Sequence, residues 1–124
     1  ESVGVGRDET GNRPLREAAR WLRGADLVVC LDSGLMHLAL ALGTPVLALY
    51  GPTDPSLYVR DHPLFHVVDN GRSCRACWNR GRMTQPGACP LHIAHCLDTI
   101  APAEVLRGVE ALIPRQVNRC ASSF

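Results

Sequence analysis

An α/β fold with a parallel sheet flanked by helices is predicted by three observations. Two short apolar runs, DLVVCL (Asp26–Leu31) and PVLALY (Pro45–Tyr50), read as buried strands. The segment between them has helix length and ends on Gly43, a natural residue just past a helix. Each run is followed by polar punctuation: Asp32-Ser33-Gly34 after the first, Gly51-Pro52-Thr53-Asp54 after the second.

The elements follow in order. A helix rich in Leu, Ala and Arg precedes the first run, with Trp21 on its apolar side. Ser33 stands where it can cap a helix from Gly34 to Leu42. Strand, helix, strand is a βαβ unit, right-handed with parallel strands. Both strands read as apolar throughout, as a sheet covered on both faces requires. FHVVD is a further short strand, with His62 and His66 expected to face solvent. PAEVLRGVEAL (Pro102–Leu112) is an amphipathic packing helix. It has proline in its first turn and Val105, Leu106, Val109 and Leu112 on one face.

Bulk properties narrow the function. The chain has 124 residues, 46% of them hydrophobic and 20% charged, which suits one globular domain. A formal net charge of +1 gives no electrostatic footprint for nucleic acid. Leu27 to Tyr50 is apolar enough to suggest a membrane span. Asp32 and His37 would then lie in hydrocarbon and Gly43-Thr44-Pro45 would break the helix, so a span is rejected. Glu1 rather than methionine opens the chain, which suggests a piece of a longer parent, and its start shows no signal peptide.

In open parallel sheets ligands bind beyond the carboxyl ends of the strands. Both polar clusters fall at that end and are expected to share one crevice. A helix start offers open N–H groups and a partial positive charge, so it attracts phosphate. Gly34 permits close approach, and His37, one turn later, leans back toward the helix start. A diphosphate could be held there without a catalytic metal. Taken singly, Ser33 reads as a helix cap and His37 as a satisfied core histidine; their combination with GPTDP favours a ligand site.

Four cysteines cluster in a long loop, with Cys74, Cys77, Cys89 and Cys96 separated by two, eleven and six residues. A CxxC turn and a second pair can close a tetrahedral site, structural because no position stays open. Zinc is the default metal and iron the alternative; a disulfide pair or free thiols are the competing readings. His92 and His95 are rival ligands. Cys30 reads as a small core hydrophobe, Trp78 as a packing anchor in the loop, and Cys120 as part of a frayed tail.

The run TGNRPLREAARWLRGADLVVCLDSGLMHLALALGTPVLALYGPTDP (Thr10–Pro55) resembles the C-terminal half of glycosyltransferase family 9, the heptosyltransferases. The matching positions are Thr10, Gly11, Leu15 and Glu17, then Asp32-Ser33-Gly34 with His37, then Ala39, Leu42, Gly43, Pro45 and Gly51 to Pro55. The likeness continues through the cysteine loop to the helix near Ala111.

The resemblance implies a Rossmann-like C-terminal half of a GT-B glycosyltransferase with a cysteine-rich insert. Residues 1–113 would form the nucleotide-sugar-binding domain, shortened at its N-terminus; 70–98 would be the loop and 114–124 a tail. It implies an inverting transfer of heptose, or a related sugar, from an ADP-heptose-like donor to a lipopolysaccharide-core glycolipid or a protein. Ser33, Gly34 and the Leu35 N–H would bind donor phosphates and His37 the diphosphate. Asp32 would orient the sugar or the loop, and Thr53 and Asp54 would line the mouth. An N-terminal acceptor domain of the parent would supply the catalytic base, which is not expected in this stretch. The stretch alone is therefore expected to bind donor poorly and to be inactive. GVGR near the start is a weak substitute for the family's opening strands.

No catalytic cofactor is implied, and the location is cytoplasmic, with peripheral association to the inner membrane as a variant. The family often carries a similar insert with CPxxHxxC, in an iron-binding version among autotransporter-modifying relatives. Two alternatives stand beside this reading: a non-enzymatic four-cysteine, metal-stapled interaction module, and a GT-B domain using another nucleotide sugar.

Overall fold

The computed structural model describes residue 6 and residues 11–72, 74–78 and 95–113, with backbone alone for His95. Thr10, most of GVGR, Cys89, His92, and the 114–124 tail with Cys120 lie outside the described residues, as does the side chain of His95. The chain runs α1 (Leu15–Gly24), β1 (Val28–Leu31), α2 (Gly34–Ala41), β2 (Val46–Leu49), β3 (Phe65–Val68), α3 (His95–Asp98) and α4 (Pro102–Leu112). A 3-10 turn at Pro55–Leu57 follows β2.

The three strands form one parallel sheet in the order β1-β2-β3. Val28 pairs with Val46, and Val46 with Phe65. The stretch that looked long enough for a membrane is thus strand, helix and strand. Among the described residues no helix is long and apolar enough to cross a membrane.

The core lies where α2 packs on β2. Met36, Ala39, Leu40, Val46, Ala48 and Tyr50 form it, with Leu22, Val28, Cys30, Val59, Leu64 and Phe65 packed around them. Burying each large apolar side chain stabilises the fold by roughly 1.5–3 kcal/mol relative to leaving it in water. On the opposite face, α4 approaches so closely that a Cβ at Gly108 would lie 2.9 Å from Leu47 Cδ2.

The connection after α2 relies on two residues. Gly43 has φ +79, the left-handed conformation that ends a helix at little cost only for glycine. Thr44 is buried, and its hydroxyl donates to the Leu22 carbonyl at 2.8 Å. That bond ties the end of α1 to the entrance of β2. At α4, the Glu104 carboxylate accepts from the Ala101 N–H at 3.2 Å, securing the helix start.

Several expectations need correction. β1 is not covered on both faces: Val29 is 46% and Leu31 52% exposed, while α4 packs on β3 and, at Gly108, against Leu47 of β2. Ser33 occupies the N-cap position of α2, yet its side chain makes no capping hydrogen bond. His62 and His66 are half-buried rather than solvent-facing, and His62 Nδ1 accepts from the Leu64 N–H at 3.2 Å. Trp78 is 60% exposed, so it does not anchor the loop by burial. Leu106 is 62% exposed and leaves the packed face of α4. Trp21 remains part-exposed, its ring lying beneath the Arg13 guanidinium at 4.6 Å.

Thr44→Val keeps shape and removes one of two bonds to the Leu22 carbonyl, which still accepts from the Ala25 N–H. The expected loss is about 0.5–1.5 kcal/mol, read as a lower urea midpoint at unchanged m-value.

Candidate functional site

The site is built at the carboxyl ends of the strands. β1 delivers Asp32, half-buried, directly before the start of α2. Ser33 is extended, with φ -156 and ψ 165, and turns the chain into the helix. Its carbonyl accepts from the Met36 N–H at 3.1 Å. The N–H groups of Gly34 and Leu35 make no hydrogen bond within the described residues, and Ser33, Gly34, Leu35 and His37 are all exposed. The amino end of α2 therefore presents open donors to solvent, with the His37 ring one turn away on the same helix.

Tyr50 directly follows β2 and is only 2% exposed. Its hydroxyl donates to Met36 Sδ at 3.5 Å, and its ring meets Phe65 edge-on at 6.1 Å. Burial first, and then the neighbouring Asp32 carboxylate, push the Tyr50 phenol above its ordinary pKa. Burial, followed by the charge of Asp32, also raises the Cys30 thiol.

Thr53 and Asp54 line a cavity of about 310 Å3 together with Tyr50, Ser56, Asp69 and Arg75. Ser33, Gly34 and His37 are not among its walls. Asp54 accepts from the Ser56 N–H at 3.0 Å and the Ser56 hydroxyl at 2.7 Å, which shapes the turn.

A third feature adjoins α2. A more apolar groove of about 570 Å3 runs between the loop at Gly11 and Arg13, the face of α1 with Leu15, Trp21 and Leu22, and Leu35 of α2.

The cysteine turn docks directly on the loop after β2. The Ala76 N–H donates to the Gly51 carbonyl at 3.0 Å, and the Trp78 N–H to the Pro52 carbonyl at 2.9 Å. Gly51 is buried, and a Cβ there would meet Cys96 Sγ at 2.7 Å. Asn70 adds bonds from its side-chain amide to the Cys96 carbonyl and to the Thr99 hydroxyl, both at 2.9 Å. Cys77 is buried, while Cys74 and Cys96 are half-buried. Among the described residues no group of three or more His, Cys, Asp or Glu side chains is arranged to hold a metal ion. The fourth expected ligand, Cys89, lies outside those residues.

Sequence reasoning overlooked Tyr50, Asp69, Arg75 and the Arg13–Trp21 pair. Tyr50 read only as the last residue of a strand. For Arg75, a cation placed inside a CxxC turn was an available signal; the docking of that turn on Gly51 was not.

A parallel sheet with a helix start and polar residues at its carboxyl edge is the α/β arrangement in which ligands are held beyond the strand ends. The model of glycosyltransferase family 9 (heptosyltransferase) matches residues 10–86, and the chain belongs to that family. It is 58% identical over 43 residues to lipopolysaccharide heptosyltransferase 1 of Salmonella typhimurium, covering 35% of this chain and 14% of that protein. It is 32% identical over 107 residues to lipopolysaccharide heptosyltransferase 2 of Escherichia coli K12, covering 86% of this chain and 29% of that one. It is also similar to the inactive autotransporter heptosyltransferase BimC of Burkholderia thailandensis, 28% identical over 108 residues, covering 80% of this chain and 25% of the relative. The chain thus spans less than a third of the length of each of these relatives. No solved structure gives a significant match.

The raised Tyr50 pKa has a pH consequence. The folded state holds that proton more tightly than the unfolded chain, so the stabilisation is fully present below pH of about 10 and is lost as pH rises beyond it. Alkaline titration at 295 nm is expected to show one of the two tyrosines ionising only as the protein unfolds. Tyr50→Phe is expected to abolish that late step.

Proposed function

We propose that this chain is the donor-binding domain of a glycosyltransferase acting in lipopolysaccharide synthesis, with an ADP-activated heptose or related sugar as donor. The observation that carries the reading is the open amino end of α2. Ser33 leaves the helix start uncapped, and the N–H groups of Gly34 and Leu35 point to no protein acceptor among the described residues. A diphosphate gains hydrogen bonds and the helix dipole there. His37 adds a hydrogen-bond donor facing the developing negative charge of the leaving diphosphate. Asp32, half-buried beside the helix start, accepts from a sugar hydroxyl or steadies the loop. The apolar groove beside Leu35 offers a flat surface for the base.

In this proposal the domain is the C-terminal half of a GT-B enzyme, residues 1–113, with 70–98 as its cysteine-rich loop and 114–124 as a tail. The acceptor, a lipopolysaccharide core or a protein, and the catalytic base belong to an N-terminal domain. The transfer inverts the anomeric centre, needs no metal for the chemistry, and takes place in the cytoplasm or at the inner membrane. Cys74, Cys77, Cys89 and Cys96 would hold a structural zinc or iron that staples the loop. A non-enzymatic variant of the same fold is the second reading. It is favoured by one relative's name, which calls that protein inactive.

Two outcomes check these proposals. In the protein with its complete chain, His37→Ala is expected to weaken ADP binding about tenfold by calorimetry, the scale of one charge-assisted hydrogen bond. Equal affinity of mutant and wild type for both ADP and the ADP-sugar would remove His37 from the donor site. For the staple, Cys77→Ser is expected to lower the thermal midpoint and the bound metal together. Freshly purified, reductant-treated protein that contains no metal would dismiss it.

A further inference from the structure

Helix α1 carries a charge pattern that its own stability does not explain. Arg16, Arg20 and Arg23 recur at helical spacing, so they fall within about 60° of one another around the axis. All three are exposed, and the side of α1 away from them carries Ala18 and Leu22, both half-buried. None of the three makes an ion pair or a side-chain hydrogen bond among the described residues. The one acid of the helix, Glu17, is already engaged by Arg13 at 2.6 Å.

Within a helix this arrangement is unfavourable. Like charges three and four residues apart repel one another. Arg16 also stands in the first turn, where the helix dipole disfavours a cation; only Arg23, in the last turn, suits it. Three guanidinium groups thus face solvent in a row about 10 Å long, with no anion supplied by the described residues. An external array of phosphates would relieve the repulsion, and guanidinium binds phosphate through paired N–H donors. We propose that this face of α1 docks on the anionic headgroups of a phospholipid bilayer. One convex helix side can meet a flat headgroup layer along its whole length. A nucleic-acid backbone asks for a wider basic surface, and the chain's net charge is only +1. Attachment is electrostatic, because arginines rather than large apolar side chains form the stripe, so it weakens as salt rises. The proposal extends the reading of an enzyme of lipopolysaccharide synthesis at the inner membrane, and rests on it for the choice of a bilayer as the polyanion.

The test uses the protein with its complete chain in co-sedimentation with vesicles of phosphatidylglycerol and phosphatidylcholine in equal parts, against phosphatidylcholine alone. Wild type is expected to bind only the anionic vesicles and to be released by high salt. Arg16→Gln and Arg20→Gln are each expected to weaken that binding about fivefold, and both together by the product of the two. Arg16→Lys and Arg20→Lys are expected to keep most of it. Arg72→Gln, at an exposed arginine outside α1, controls for net charge and is expected to leave binding unchanged. Because the stripe is exposed and self-repelling, the glutamine variants are expected to keep or raise the thermal midpoint without vesicles, which separates lost binding from lost fold. Failure of wild type to bind anionic vesicles overturns the proposal. So does equal binding by wild type and the double variant, or equal loss in Arg72→Gln. If the double variant instead loses binding to a DNA duplex while vesicle binding is unchanged, the stripe belongs to nucleic acid and the proposal likewise falls. Should wild type bind anionic vesicles but not ADP, the donor-site reading falls and the docking face stands.

Discussion

The structure depends on the burial of β2 and on how the residue that follows it is satisfied. Val46, Leu47 and Ala48 are shielded on both faces, and Tyr50 carries that burial to the edge of the sheet. A phenol placed there must find a partner, because an unsatisfied buried hydroxyl costs about 1–3 kcal/mol. Met36 Sδ, in the first turn of α2, receives it at 3.5 Å, with the Asp32 carboxylate nearby. A core interaction and the position of an exposed helix start are therefore coupled.

The loop after β2 is governed by a second constraint, the absence of a side chain at Gly51. Cys96 occupies the space a Cβ would need, while the Gly51 and Pro52 carbonyls receive the cysteine turn. Gly51 thus joins two segments far apart in sequence without any part in positive-φ geometry. The arrangement brings Arg75 beside Thr53 and Asp54 and gives the strand ends a wall that the βαβ unit alone would lack.

The chain belongs to glycosyltransferase family 9, and its polar residues gather beyond the carboxyl ends of parallel strands. The open N–H groups at the start of α2 suit a negatively charged group, because they add hydrogen bonds to the favourable end of the helix dipole.

The sequence by itself determined the elements. The runs around DLVVCL and PVLALY, the glycine at 43 and the proline at 102 mark strands and helix ends because backbone preferences are local. It also marked Asp32, Ser33, Gly34, His37, Thr53 and Asp54 as polar residues at strand ends, since a βαβ unit fixes which ends align. Tertiary structure alone decided the rest. Whether Val29 and Leu31 were covered, and that Thr53 and Asp54 share a cavity with Arg75, depend on segments 20 or more residues away in the chain. Thr44 finding Leu22, and Ala76 finding Gly51, are meetings of this sort. No periodicity encodes them, because they arise only when separate pieces of chain are packed against one sheet.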